Sequence, residues 1–537
     1  MRSYSHDYII LTGVEISGAI SNTPDMPIQP SSCWPSSGWL ILGDQLFDPA
    51  RFKSAAPAVR AGFMAEDHGL CTHFRYHQHK LVLFLSAMRH FAAELKQAGF
   101  DLEYQKLETK DQTPFEKKLK DFVQSRKLSH IHSFEVSDRF FEQRLETCLK
   151  ELGVQWVRHP SPGFVTPRSE FAAYLSSTRK PFMKTFYERQ RRRLGILMRQ
   201  TGSKKDEPEG GQFSYDAENR QPLPDEITPP GVRFEEPDPV TQEVIRLVES
   251  QFSSHPGQAS QFSFPVTRKG AQRWLTDFVS HRLEHFGTYE DALSMRDPFL
   301  FHSVLTPFLN TGLLEPLQAV EAVLQAWRKK KAPLNSIEGF IRQVIGWREF
   351  IFGIDRHFGP QQFTTNHWNH SRRLTQHWYD GTTGLPPLDS VIKKLERHAY
   401  SHHIERLMVV GTLMLGCEIH PHEAYRWFME MHIDSADWVM GPNVFGMGIF
   451  SDGGVFATKP YLCGSNYWLK MGDYARGDWC DVADGLYWGF IARNQKALIK
   501  NPRMATIARS LDRMGSERRE KILRAAESFK DRVTRLK

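Results

Sequence analysis

Cysteine is scarce in this 537-residue sequence. The six present follow no framework of spacings, so a disulfide scaffold is not indicated and a reducing compartment is the default. Long apolar runs are missing too: none reaches the roughly 18 residues that a membrane span requires. No single sign of charge dominates, with 69 Lys and Arg against 62 Asp and Glu and a net charge of +7. That balance permits an anionic partner such as DNA without demanding one. A signal peptide is not indicated either. Residues 8–20 are partly apolar but are broken by Glu15, and only Arg2 supplies positive charge ahead of them, so residues 1–36 read as a weakly ordered extension.

What is present is a globular composition, 40% apolar and 24% charged, in a chain too long for one simple core. Two or three domains are expected. Aromatic residues reach 12%, with 13 Trp and 37 Phe. That richness suits a protein that buries planar rings, and equally any large helical core.

Strands and helices alternate through the first part. Residues 39–46 read as a buried strand ending in a turn at Asp44, residues 102–106, 131–135 and 154–159 as further strands, and residues 81–98, 115–127 and 140–152 as amphipathic helices. This alternation predicts an α/β domain with a doubly wound parallel sheet. Such sheets place ligands beyond the carboxyl ends of their strands, where Asp44 lies. Residues 202–239 turn polar and rich in Pro and Gly, as in a linker or surface loop. Helical periodicity then takes over at 241–252, 269–286, 314–329, 337–358, 390–416 and 421–431, with no strand in view. The expected organisation is an extension (1–36), an α/β domain (37–165), a connector (166–240) and a large all-α domain (241–537).

Four segments of the helical half carry candidate chemistry. Residues 302–314 begin His-Ser-Val-Leu-Thr-Pro, and hydroxyls with free N–H groups at a helix start suit an anion, although an ordinary capped helix reads the same way. Residues 338–350 contain Gln343, Trp347, Arg348 and Glu349. Gln343 and Trp347 share a helix face, whereas three consecutive residues cannot. Residues 400–408 hold the adjacent pair His402 and His403, whose unperturbed pKa suits proton transfer, with Arg406 one turn from His402. Residues 434–454 run from Asp434 through Met440, Asn443 and Met447 into a Gly-rich stretch, where small residues let backbone approach a flat ring.

In this order and spacing, these segments resemble the cryptochrome/photolyase family, most closely its bacterial (6-4) photolyase branch, from about Trp39 to the C-terminus. The resemblance implies FAD, with His302, Ser303 and Thr306 toward its phosphates, Gln343, Trp347 and Arg348 facing flavin and lesion, Asp434 and Asn443 bonding the isoalloxazine edge, and Met440 and Met447 near the ring. It implies His403 as acid/base with His402 as neighbour or rival, and Tyr461 and Glu349 close to the chemistry. Residues 43–46, 64–66 and 86–91 resemble the branch's antenna domain, which implies Asp44 and Glu66 as contacts of a 6,7-dimethyl-8-ribityllumazine light harvester. Trp427, with Trp378 or Tyr379, is the implied electron relay, whereas Phe428 has a ring that is hard to oxidise. Arg342, Arg348, Arg406 and Lys459 are candidates for DNA phosphate. Lys184 with Arg189 to Arg193 forms a basic run that reads equally well as a solvated helix face. The implied function is a DNA photolyase, a carbon–carbon lyase that acts on a flipped-out (6-4) photoproduct in damaged DNA. The expected setting is a monomer off the membrane, in the cytoplasm and on the nucleoid when bound to DNA. A blue-light cryptochrome with little repair, a photolyase for cyclobutane dimers or single strands, and a nucleic-acid-binding protein with vestigial flavin are the competing readings.

The sequence departs from this branch at its four cluster cysteines. Residues 385–390 hold no Cys, Ala475 and Asp478 stand where a Cys pair belongs, and only Cys480 lies near the fourth position, while Cys417 and Cys463 do not fit the pattern. A cubane cluster takes four thiolates, so no [4Fe-4S] cluster and no other metal is expected.

Overall fold

A computed structural model describes residues 36–108, 111–199 and 206–536. The expectation of a weakly ordered extension therefore lies, except for Ser36, outside the described residues. Five strands, β1 (Ser37–Leu40), β2 (Ala61–Ala65), β3 (Asp101–Gln105), β4 (His130–Phe134) and β5 (Gln155–His159), form one sheet in the order β3-β2-β1-β4-β5. All pairings are parallel, with Trp39 opposite Gly62 on one side and His132 on the other. The sequence reading missed β2, because Ala-Gly-Phe-Met-Ala has no β-branched residue.

Alternation along β1 sends Trp39 and Ile41 to one face and Leu40 and Leu42 to the other. The second face packs against the helices Phe115–Ser125 and Arg139–Glu151 through Phe63, Phe122, Ile131 and Leu145. The first packs under the helix Gln78–Gln97, and its core runs on without a break into the helical half through Phe308, Trp378 and Trp427. Charged ties reinforce that junction. Arg139 donates to Asp355 from Nε at 2.8 Å, and Arg168 and Arg356 both meet Glu142. The strand order reverses beside β1, and the crevice there carries Asp44 and Ser137, which are hydrogen-bonded to each other.

The helical half differs from the sequence reading in several places, among them the helix expected over 269–286, which is broken at Arg282. The helix expected over 337–358 is two α segments, Leu334–Ile341 and Glu349–Thr364, joined by a wider π stretch, Arg342–Arg348. The helix expected over 390–416 is broken. Pro386–His398 ends at Ala399, which adopts φ +53°, and the chain restarts as Glu405–Gly411 and Thr412–Gly416. No Gly or Pro marks the break, so the usual stop signal is absent. Two short antiparallel strands, Arg373–Leu374 and Thr534–Arg535, also appear where none was expected. They are too short to leave a periodic trace.

Candidate active site

The helical half encloses a cavity of about 1550 Å³, its open mouth included. Three seven-residue stretches of π helix supply much of its wall: Arg342–Arg348, Glu405–Gly411 and Pro442–Gly448. A π turn admits an extra residue at the cost of a regular backbone ladder, and such turns concentrate at functional sites. Gln343, Trp347 and Arg348 face the cavity from the first, Arg406 and Leu407 from the second, and Asn443, Val444 and Met447 from the third. Phe340, Ile351, Phe428, Trp438 and Met440 complete an apolar slot suited to a flat ring. His302, Ser303, Val304 and Thr306 close another side. Val304 holds φ +53°, a conformation that costs energy for a branched side chain, so its surroundings fix this loop.

Asp434 organises the polar end. Its Oδ2 accepts from Thr306 Oγ1 at 2.5 Å and from Arg406 Nη2 at 3.0 Å, and its backbone oxygen accepts from Asn310 Nδ2 at 2.9 Å. Burial alone would raise this carboxyl, but Arg406, His432 and the hydrogen bonds hold it below the usual range. Its Oδ1 is buried with no protein partner, an acceptor left for a ligand. Arg348 donates to Gly163 O at 2.8 Å and lies over the rings of Phe164 and Trp438. Burial pushes its guanidinium down to about 10.

His403 lines the cavity, and its exposed face opens onto it. Burial and then the Arg406 guanidinium push the His403 ring down to about 4, so it is a neutral imidazole at neutral pH. His402 points the other way and stacks on His302, with centroids 4.5 Å apart and planes 14° apart.

Several expected positions fall elsewhere. Glu349 is buried facing the chain that leaves the sheet, where its Oε2 accepts from Val165 N at 3.0 Å and Thr166 N at 2.7 Å. It does not line the cavity, because three consecutive helical residues diverge. Tyr461 is half-buried against the cluster around Phe350 and Phe456 and is also off the cavity wall. Arg342 is not available to phosphate: it is 4% exposed among Glu338, Asp216 and Glu290. Arg406 faces the cavity but is spent on Asp434 and on Ser401 O. Lys459 stays partly exposed. In the basic run, Arg189 pairs with Glu170 and Arg191 is buried against the carbonyls of Ile196, Leu197 and Phe213, so these two serve the fold.

Asp44 and Glu66, beyond the ends of the adjacent strands β1 and β2, have different surroundings. Asp44 lies in a small crevice with Ser137, Phe164, Arg348 and Trp438, the last two shared with the large cavity. Glu66 is saturated by Arg89 Nε and Nη2, Tyr104 Oη and Leu107 N. Of the relay candidates, none touches the cavity. Phe428 does, and Trp427 packs edge-on against it at 5.2 Å, while Trp427 Nε1 donates to Trp378 O at 2.8 Å. Tyr379 donates to Glu430 at 2.6 Å.

Sequence reasoning missed Glu290 and Asp291, which also line the cavity. Glu290 accepts from Gln343 Nε2 at 2.6 Å and Asn219 Nδ2 at 2.9 Å. Asp291 is raised to about 7, by burial first and then by Glu290. Both sit between helices in irregular chain, where no periodicity betrays a side chain's direction.

Residues 39–264 match the sequence family described as deoxyribodipyrimidine photo-lyase-related protein, and residues 340–463 match the FAD binding domain of DNA photolyase. A (6-4) photolyase of Agrobacterium fabrum is 34% identical over 506 residues, 91% of this chain and 98% of that one. The chain belongs to the photolyase family. In fold it resembles a class III photolyase from Agrobacterium tumefaciens (TM-score 0.55, 17% identity, covering 94% of this chain and 100% of that one) and a cryptochrome from Synechocystis (TM-score 0.54, 13% identity, covering 92% and 98%). The photolyase FAD-binding segment contains all three π stretches and Asp434. The site fits a flavin: an apolar slot for the ring lies beside an unpartnered buried carboxylate oxygen and a guanidinium.

Proposed function

We propose that this chain is a (6-4) photolyase that repairs damaged DNA by light-driven electron transfer. The observation that carries this reading is full-length similarity to a (6-4) photolyase, joined to a cavity that presents His403 beside the slot for a flat ring. Asp434, Arg406 and the apolar slot at Trp347, Met440 and Met447 would hold FAD, which once reduced and excited by blue light would supply an electron that returns at the end, with no net redox change.

The protein's own residues do the rest. A lesion inside a duplex is out of reach, so the damaged bases flip into the mouth of the cavity. Neutral His403 carries one N–H and one lone pair, and so can give a proton at one ring nitrogen and take one at the other. Asp434 fixes Arg406 and Thr306, and offers Oδ1 to the cofactor. Trp347, Met440 and Met447 shape the ring's slot and exclude water. Trp427, packed edge-on against the cavity residue Phe428, is the relay residue nearest the cavity, and Phe428 acts as a spacer whose ring stays unoxidised. The crevice at Asp44, without Glu66, is the place for a ribityllumazine antenna, and the shared Arg348 and Trp438 support that reading. Lys459 contributes to phosphate contact.

The reading includes no iron–sulfur cluster. The segment where the Cys pair belongs is held by polar contacts instead: Asp473 accepts from Ser294 Oγ at 2.9 Å, Met295 N at 2.6 Å and Arg296 Nε at 3.0 Å. The chain acts as a monomer in the cytoplasm, and on the nucleoid when bound to DNA. No helix among the described residues is long and apolar enough to cross a membrane.

The test uses purified protein, its visible spectrum and iron content, and (6-4)-damaged DNA under blue light. The expected result is flavin without iron, and repair that His403→Ala lowers by about 10²-fold or more. Protein that carries flavin and photoreduces but repairs nothing would refute the proposal.

A further inference from the structure

Behind the cavity wall lies a buried charged cluster that the repair chemistry above does not use. Lys394, on the helix Pro386–His398, donates to Glu405 Oε1 at 2.5 Å and also to the carbonyl of Ser294. Glu405 is fully buried and Lys394 is 9% exposed. Among the described residues, the second carboxylate oxygen, Oε2, has no hydrogen-bond partner and lies 3.6 Å from His402 Nε2. His402, 1% exposed, has none there at either ring nitrogen, and its face rests on His302, which does line the cavity. His302 Nε2 is also unpartnered. Three buried polar side chains thus lead from an ion pair to the cavity surface with bonding capacity left over, which a folded protein rarely leaves without purpose. A shift of about 0.6 Å would close Glu405 to His402 at ordinary hydrogen-bond length.

We propose that Glu405, paired with Lys394, is a positioning residue for the imidazoles at and behind the cavity wall: it fixes the tautomer of His402 and, through the stacked rings, whether His302 holds a proton at the cavity surface. This rests on the repair reading. Glu405 reaches neither cofactor nor lesion itself. A metal-bound or substrate-bound His is held in the same way by a partner behind it, and losing such a partner typically costs about 10–100-fold in activity or affinity.

The charges around the pair set the sign of its effect. Burial holds both rings below the ordinary histidine range. Lys394 pushes His402 further down, whereas Glu405 pulls His302 up. Arg406 and His403, from the same segment, also push His402 down. Tyr400 and, from a separate loop, Tyr474 lie within the field of Glu405 and are themselves raised by burial, so both stay neutral. With the ion pair intact, Lys394 opposes a proton on His402 while Glu405 favours one on His302. Removing Lys394 leaves a carboxylate that draws protons onto them, and removing the Glu405 charge leaves an ammonium that repels protons.

The experiment uses the full chain loaded with FAD and labelled with ¹⁵N-histidine. The ring nitrogens of His302 and His402 are assigned with His302→Asn and His402→Asn. Lys394→Gln is expected to raise the protonation of this pair into the accessible pH range. Glu405→Gln is expected to change the His402 ring shifts without bringing on protonation, and the charge-neutral double variant to lack the rise seen in Lys394→Gln. Should Lys394→Gln not fold, Glu405→Gln and the double variant carry the test, because both keep the cavity free of an unpaired carboxylate. In repair, Glu405→Gln is expected to lose about tenfold in yield per photon with DNA affinity unchanged, and Glu405→Asp to recover part of it. Ring shifts of His302 and His402 that are the same in wild type and every variant overturn the inference, as does wild-type repair by Glu405→Gln. If the wild type carries flavin but repairs nothing, the repair reading fails on its own, and the ring shifts still decide the role of Glu405.

Discussion

Replacing Asp434 by Asn tests the electrostatic centre of the cavity. Asp434 is 5% exposed and meets a hydroxyl and a guanidinium through one carboxylate oxygen. Asn keeps the shape and one acceptor but removes the charge that balances Arg406. Breaking a buried ion pair by removing one partner costs about 3–5 kcal/mol. Arg406 keeps its bond to the Ser401 carbonyl, and its side chain is 18% exposed, so the expected cost is nearer 2–3 kcal/mol. The pH dependence has a definite sign. The folded carboxyl titrates below its unfolded value, so its stabilisation is present above the ordinary carboxylate range and is lost as pH falls through the folded value. Wild type and Asp434→Asn should therefore unfold at clearly separate temperatures at neutral pH and converge in acid. Under the proposed function Oδ1 is the acceptor offered to the cofactor, so the variant should also retain less flavin after gel filtration. Thermal unfolding with and without added FAD, followed from acid to neutral pH, reads both effects. A variant that keeps a full complement of flavin and unfolds with wild type at neutral pH would refute this account of the cavity.

Asp291→Asn should act in the opposite direction. Its folded carboxyl is raised to about 7, so wild type loses stability as pH climbs from the ordinary carboxylate value to about 7, and the variant should be the more stable at alkaline pH by up to about 4 kcal/mol, read by urea unfolding. Arg342→Gln should cost about 3 kcal/mol in the same assay by leaving Glu338, Asp216 and Glu290 around a neutral amide, while the salt dependence of DNA binding stays unchanged. A phosphate contact would instead lower that slope by roughly one. Trp427→Phe should slow photoreduction of the bound flavin, followed by visible absorbance, without altering how much flavin is bound.

Much of the architecture was legible in the sequence. The strand–helix alternation gave four of the five strands, and the parallel sheet follows from it, because each buried strand is a short local run with its own period. The helix Pro421–Met431 was legible to the residue, since His420 caps it and Pro421 opens it. The segments that line the cavity were found because Gln343, Trp347, Asp434, Met440 and Asn443 lie within short stretches whose order and spacing carry the resemblance. Local sequence thus determined which segments fold into which elements, and which of them bear chemistry.

It did not determine where side chains point once a helix departs from its regular period. Three π stretches rotate the face of each helix within a few residues, and no propensity signals them. Glu349 points away from the cavity that its neighbours Trp347 and Arg348 line, and which of the three would face away was not readable from their adjacency. Ala399 breaks a helix without Gly or Pro, and the break sends His403 to the cavity and His402 to His302. Glu290 and Asp291 reach the cavity from irregular chain. Glu66 looked available until Arg89 arrived from 23 residues away, and Arg342 until Asp216 arrived from 126 residues away beside its helical neighbour Glu338. Whether a charged side chain is free to meet a ligand depends on which distant groups the fold brings beside it, because burial makes a hydrogen-bonded partner obligatory, and only the tertiary structure decides that.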